Sequence, residues 1–182
     1  MLEINVKEKE FFQESTQKFI SIPACSLTLE HSLISLAKWE AKWQIPYFDG
    51  NKKSPAQDLD YIRCMTIGNV KDDRVFDHLD LDEIMQIQTY MAAPMTATTI
   101  KPNPKAKPKT KKEIMTAEVI YSHMFTHNIP LECHKWHLNR LLTLLKVCDL
   151  QNAPKEKMTK KQTAMWNAEQ NAARRAKYNT RG

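Results

Sequence analysis

The stretch Cys133–Cys148, CHKWHLNRLLTLLKVC, decides the fold class of this 182-residue chain. It carries Trp136, Val147 and five leucines around His134, His137, Asn139 and Arg140, with neither Gly nor Pro. Leu138, Leu141 or Leu142, Leu145 and Cys148 recur at helical spacing, so one stripe of a helix faces a core. Upstream, Thr110 and Glu113 form a capping-box pattern that opens a helix through Ile114, Ala117, Tyr121 and Met124 to Asn128. Pro130 separates the two, and Asn152-Ala153-Pro154 ends the second. The pattern predicts an antiparallel helical hairpin over 113–150.

Further helices are expected over 26–94. Ser26 is a candidate cap for a helix bearing Leu29, Leu33, Leu36 and Trp43 that stops before Pro46. Trp39 and Trp43, four apart, share a face of it. Ser54-Pro55 opens a helix to about Thr66, since Pro is favoured at the first helical position. Asp72–Leu79 reads as a short helix. Asp80 with Glu83 forms a capping box before Ile84, Ile87 and Met91, and Pro94 ends that helix. Towards the N-terminus, LEINV (2–6) and KFISI (18–22) alternate apolar and polar residues, with Phe11 and Phe12 between them and Glu14-Ser15-Thr16-Gln17 as turn. A β-hairpin over 1–22, lying on the helices, is predicted.

The expected fold is therefore mainly α: one compact domain over 1–154 with a small N-terminal β-hairpin, a flexible basic Pro/Lys loop over 101–112 and a partly helical basic tail over 155–182. The loop KPNPKAKPKTKK has six Lys, three Pro and no large apolar residue, so it cannot bury enough surface to offset its ordering entropy. In the tail, Thr159 with Gln162 caps AEQNAARRAKYNTRG, for which Met165 and Trp166 are the substantial apolar anchors.

Charge divides along the same lines. The chain's net charge is +6, with 27 Lys and Arg against 21 Asp and Glu. Residues 101–112 contribute +6, and the eight basic and two acidic residues of 155–182 another +6. The rest of the chain, 13 basic against 19 acidic residues, is therefore −6. The appendages suit an acidic protein surface, including this protein's own body, at least as well as nucleic acid. Aromatic residues for base stacking are thin there: Trp166 and Tyr178 in the tail, none in the loop. Nucleic acid is the less favoured partner class.

No apolar run reaches the roughly 18–20 residues of a membrane helix, and Met1-Leu2-Glu3 does not open a signal peptide. A soluble protein made in a cytoplasm is expected, with Cys25, Cys64, Cys133 and Cys148 as small apolar residues rather than disulfides. Three glycines leave little for phosphate-cradling loops, and no GxSxG, P-loop, HExxH or dinucleotide fingerprint occurs. Cys133 and His134, adjacent on a helix, point apart and do not make a nucleophile–base pair. The carboxylates between Asp58 and Asp82 fall at helix starts and on solvated faces. The sequence predicts no enzyme and no cofactor.

One metal reading competes with a bland one. His123-x3-His127 and Cys133-x3-His137 each place two ligand types on one helical face, and a hairpin could unite them as a closed zinc site. The turn between them holds a Pro, neither half is a zinc-finger spacing, and satisfied or exposed histidines explain them as well. Arg140 likewise has two readings, an anchor for an acidic partner, or a side chain that pairs with a carboxylate such as Glu132 or Glu118 or reaches solvent past its own stem.

Five blocks carry a resemblance: LEHSLISLAKWEAKW (29–43), DYIRCMTI (60–67), APMTATT (93–99), KWHLNRLLTLLKVC (135–148) and NAARRAKYNTRG (171–182). Together they resemble the tail assembly chaperones of long-tailed bacteriophages. The resemblance implies a non-enzymatic, mostly helical factor that coats the tape-measure protein in the host cytoplasm, promotes tail-tube assembly and is absent from the mature virion. It implies the tape-measure protein and the tail tube protein as partners. The lysine-proline enrichment of 101–112 departs from the family pattern. Trp39, Trp43, Trp136, Asn139, Arg140, Trp166, Arg174 and Arg175 are the candidate partner-binding residues. The alternative is a virion connector or a nucleic-acid-contacting phage protein using its basic loop and tail.

Overall fold

Alternating apolar residues give the N-terminal segment its strands, but the pairing is longer than the sequence suggests. Residues 1–14, 17–100, 114–152 and 160–179 are described by the structure, a computed structural model. Strand β1 (Leu2–Val6) pairs antiparallel with β4 (Cys25–Leu29), while β2 (Lys9–Gln13) pairs with β3 (Lys18–Ile22). The pair Lys9–Ile22 lies three residues further along each strand than Val6–Cys25, so both ladders keep one register. They are nonetheless two separate sheets, and the break falls at Pro23, which has no N–H to give. The predicted hairpin over 1–22 is thus corrected: residues 2–6 pair with 25–29, not with 18–22. Ile4, Val6, Leu27 and Leu29 point into the core.

Residues 25–29 are consequently strand, not the first turn of a helix capped by Ser26. Helix α1 (Leu33–Trp43) starts six residues later, where the Ser32 hydroxyl accepts from the Ser35 N–H and the Ser35 hydroxyl donates to the Glu30 carbonyl. Gln44, with φ of 54°, closes it in the left-handed region. Helix α2 (Pro55–Met65) starts at Ser54-Pro55 as expected, and Gln57 completes a capping box with Ser54. The short strand β5 (Thr66–Ile67) leaves α2 to pair with the end of β4, giving a sheet ordered β1-β4-β5. The short helix expected over 72–79 is a 3₁₀ turn (Asp73–His78), and helix α3 (Leu81–Ala92) follows where its capping box puts it. The Glu83 carboxylate accepts from the Asp80 N–H at 2.7 Å.

Helix α4 (Ala117–Thr126) is capped by Thr116; the predicted cap pair Thr110 and Glu113 lies outside the described residues, as does the 101–112 loop. The helix ends as a Schellman motif. Asn128 takes φ of 52°, its N–H donates to Phe125 and the Ile129 N–H donates to Met124. The opening stretch is not one helix from Cys133. Leu131–Lys135 is a 3₁₀ turn, Trp136 is extended and His137 bridges Ser32. The Leu138 N–H then donates to the His31 carbonyl at 2.7 Å, and helix α5 (Leu138–Asn152) begins. Backbone pairing with the β4–α1 connection keeps Trp136 and His137 out of the helix and sets its start at Leu138. Leu138, Leu141 and Leu145 are buried along α5, the stripe read from the sequence. His127 Nε2 lies 2.9 Å from Asp149 Oδ1, so the C-terminal ends of α4 and α5 meet. In an antiparallel hairpin the end of α4 would face the start of α5 instead.

The chain divides into two units, Met1–Asp149 and Leu150–Gly182. The first boundary falls a few residues before the expected 154. The second unit contains helix α6 (Lys160–Tyr178), whose described side chains are all exposed; the proposed cap residue Thr159 and residues 153–158 and 180–182 are outside the described set.

Candidate functional site: two apolar clefts

Three of the eight predicted contact residues, Trp39, Trp43 and Asn139, hold the fold together. Trp39 is fully buried, and its indole N–H donates to the Gln57 carbonyl at 2.9 Å. The Trp43 indole N–H donates to Asp60 Oδ2 at 2.9 Å, and Lys42 pairs with the other oxygen of the same buried carboxylate. The shared face of Trp39 and Trp43 therefore knits α1 to α2, because an indole that finds an acceptor inside the protein is stable there. Asn139 is also a joint. Its side-chain amide donates to the carbonyls of Met91 and Ala93, both at 2.9 Å, and so satisfies the end of α3 from the start of α5. Asn139→Ala is expected to cost about 1–2 kcal/mol, the sum for two neutral hydrogen bonds, in a urea-unfolding comparison.

Trp136 and Arg140 remain at the surface. The Trp136 ring is half-buried with the exposed Arg140 guanidinium 4.1 Å above its centroid, a stacked cation–π pair. No ion pair joins Arg140 to Glu132 or Glu118 among the described residues. Trp166, Arg174 and Arg175 are exposed on α6.

The zinc reading does not assemble. Among the described residues no three His, Cys, Asp or Glu side chains are grouped to hold a metal ion. His123 lines a cleft, His127 meets Asp149, Cys133 is buried, and His137 Nε2 lies 3.0 Å from the Tyr90 carbonyl. The 3₁₀ turn between α4 and α5 sends the four side chains to different places. Burial pushes the Cys133 thiol up from its ordinary pKa, which keeps it protonated.

His137 belongs to a buried polar cluster. Since a carbonyl only accepts, Nε2 carries the proton, and Nδ1 is left buried without a hydrogen-bond partner. The His31 ring is 5.2 Å away, with its Nδ1 2.7 Å from the Tyr61 hydroxyl. The Tyr90 hydroxyl donates to Glu30 Oε1 at 2.7 Å. Burial, then the neighbouring His137, pulls His31 down to about 4; burial lowers His137 as well.

What the molecule offers a partner is apolar surface. A broad cleft of about 980 Å³ runs between the loop after α1, at Tyr47 and Phe48, and Met115, Leu142 and Leu145 from the α4–α5 side. A second groove of about 510 Å³ lies between α2 and α3, and Tyr47 walls both. On α3 Leu81 and Met85 stand exposed one helical turn apart. On the β2–β3 sheet the cross-strand pair Phe12 and Phe19 is also exposed, its rings 5.2 Å apart. Exposed apolar residues grouped in this way mark contact surfaces. The sequence carries one sign of them: Leu81, Ile84, Met85, Ile87 and Met91 put more apolar residues around α3 than one buried stripe needs.

No helix among the described residues is long and apolar enough to cross a membrane. Comparison of the chain with family models, with curated proteins and with solved structures finds no match.

Proposed function

We propose that this protein is a non-enzymatic tail assembly chaperone of a long-tailed bacteriophage, which binds the tape-measure protein in the host cytoplasm and promotes assembly of the tail tube. The observation that carries the reading is the pair of apolar clefts sharing Tyr47. A long helical polypeptide kept soluble until the tube closes around it needs a partner that covers its apolar face, and helix-in-groove binding does that. Methionines at the clefts, Met91 and Met115, with the exposed Met85 of α3, supply adaptable contact surface for a long and varied client. The acidic carboxylates and basic appendages keep the complex soluble.

Co-expression with the tape-measure protein tests this. The tape measure is expected to stay soluble and to co-purify with the chain; equal solubility with and without it, and no co-purification, ends the reading.

A second reading, a virion connector or nucleic-acid-contacting component, is favoured by α6, where exposed Lys161, Arg174, Arg175 and Lys177 face a single acid, Glu169. A stoichiometric amount of the protein in purified virions, or DNA binding by residues 160–179 that falls steeply with salt, selects it over the chaperone.

A further inference from the structure

The walls of the groove between α2 and α3 repeat like the faces of a helix pair that lacks its third member. On α2 the apolar residues facing it are Pro55, Leu59 and Ile62; on α3 they are Ile84, Ile87 and Met91. Each row follows helical spacing over two turns, about 10 Å of axis at 1.5 Å per residue. That is the length over which an amphipathic helix lays down anchors at i, i+3 or i+4, and i+7.

Charge narrows the occupant. Asp58 stands in the groove lining, and no hydrogen bond or ion pair engages its carboxylate among the described residues. The other charges of α2 are spoken for: Asp60 holds Lys42 and Trp43, and Arg63 pairs with Asp73 and Asp77. Helix α3 contains no Lys or Arg, and Glu83 pairs with Lys9. The charges left open on the two helices are thus acidic only. Burial also disfavours the Asp58 carboxylate and raises its pKa against the opposing pull of Lys53, so a further cation brought beside it gains more than it would at an open surface.

We infer that the α2–α3 groove is the docking site for a basic amphipathic helix of a partner protein, whose apolar face packs between Leu59, Ile62, Ile84 and Met91 and whose Lys or Arg meets Asp58. The partner's identity as the tape-measure protein rests on the reading above; the groove's preference does not.

The test uses the full chain and two labelled helical probe peptides, one of Leu and Lys with leucines at helical spacing, the other with Glu in place of every Lys. Fluorescence anisotropy is expected to show binding of the first and not the second. Asp58→Lys should weaken that binding about tenfold, the effect of losing one favourable charge contact. Ile84→Glu should abolish it. That variant adds negative charge, so a peptide held merely by the acidic surface would bind it better, and the two explanations predict opposite signs. Circular dichroism checks that both variants fold, and Asp58→Lys decides alone if Ile84→Glu does not. Equal binding of the two peptides, or wild-type affinity in a folded variant, overturns the inference. A wild-type dimer that Ile84→Glu converts to monomer also overturns it, since the groove would then hold a second copy of the chain. Capture of the tape-measure protein separates this from the wider reading. Undiminished capture by both variants defeats the groove and leaves the chaperone; peptide binding without any capture defeats the chaperone and leaves the groove.

Discussion

Replacing Glu40 by Ala is expected to destabilise the protein by about 3 kcal/mol, because it orphans one buried and one half-buried backbone donor, and a lost partner costs a buried donor roughly 1–3 kcal/mol. Glu40 sits in the buried face of α1. One carboxylate oxygen accepts from the Tyr47 N–H and the other from the Ala117 N–H, both at 2.7 Å. The first bond holds the loop that carries Tyr47 between the two clefts. The second satisfies the first residue of α4 and places a negative group at the positive end of that helix. Alanine removes both acceptors. Glu40→Gln keeps one acceptor oxygen and turns its amide towards the other N–H, so about half the loss should remain. Urea unfolding at neutral pH measures both; a loss below about 1 kcal/mol for Glu40→Ala, the size of an ordinary substitution, contradicts the hub assignment.

Acidification is expected to remove about 3 kcal/mol of stability through His31 alone, at about 1.4 kcal/mol per pKa unit. In the unfolded chain His31 titrates near its ordinary 6.5, whereas in the fold burial holds it down to about 4. Between those values the unfolded state takes up a proton that the native state refuses. The contribution is therefore complete above pH 6.5 and is lost as the pH falls towards 4. His137, lowered in the same direction by burial, adds to the loss. The groups around the pair sharpen it. Tyr61, Tyr90 and the two rings offer little to a second positive charge, and Glu30 already receives the Tyr90 hydroxyl and the N-terminal ammonium of Met1. His31→Asn keeps a polar atom for the Tyr61 hydroxyl but does not titrate. Unfolding free energies at pH 7.0, 5.5 and 4.5 should fall more steeply in the wild type than in this variant; parallel slopes would show that His31 is not held neutral.

The helices with chemical punctuation were legible in the sequence. Ser54-Pro55, Asp80 with Glu83, and the Leu stripe of α5 each specify their element through a local rule of capping or periodicity, and α2, α3 and the body of α5 lie where those rules put them. The failures come where a distant partner outweighs local preference. Leu27 and Leu29 fit the alternation of a strand, yet Leu29 also fits the helical series with Leu33 and Leu36; the pairing with β1 chooses the strand. Residues 136–137 read as helix until Ser32 bridges His137 and the His31 carbonyl takes the Leu138 N–H. Trp39 and Trp43 share a face as expected, but spacing says only that they lie together, not that their face is the inner one. The clefts were least legible, since their walls come from segments far apart in the chain and their defining property is an apolar surface left without a neighbour.

The most direct measurement of whether this protein works by covering another is amide hydrogen exchange on the full chain, alone and mixed with the tape-measure protein. Slower exchange in Pro55–Met65 and Leu81–Ala92, with the buried strand Cys25–Leu29 unchanged, is the predicted result. Identical exchange throughout Met1–Asp149 in the two samples would contradict it.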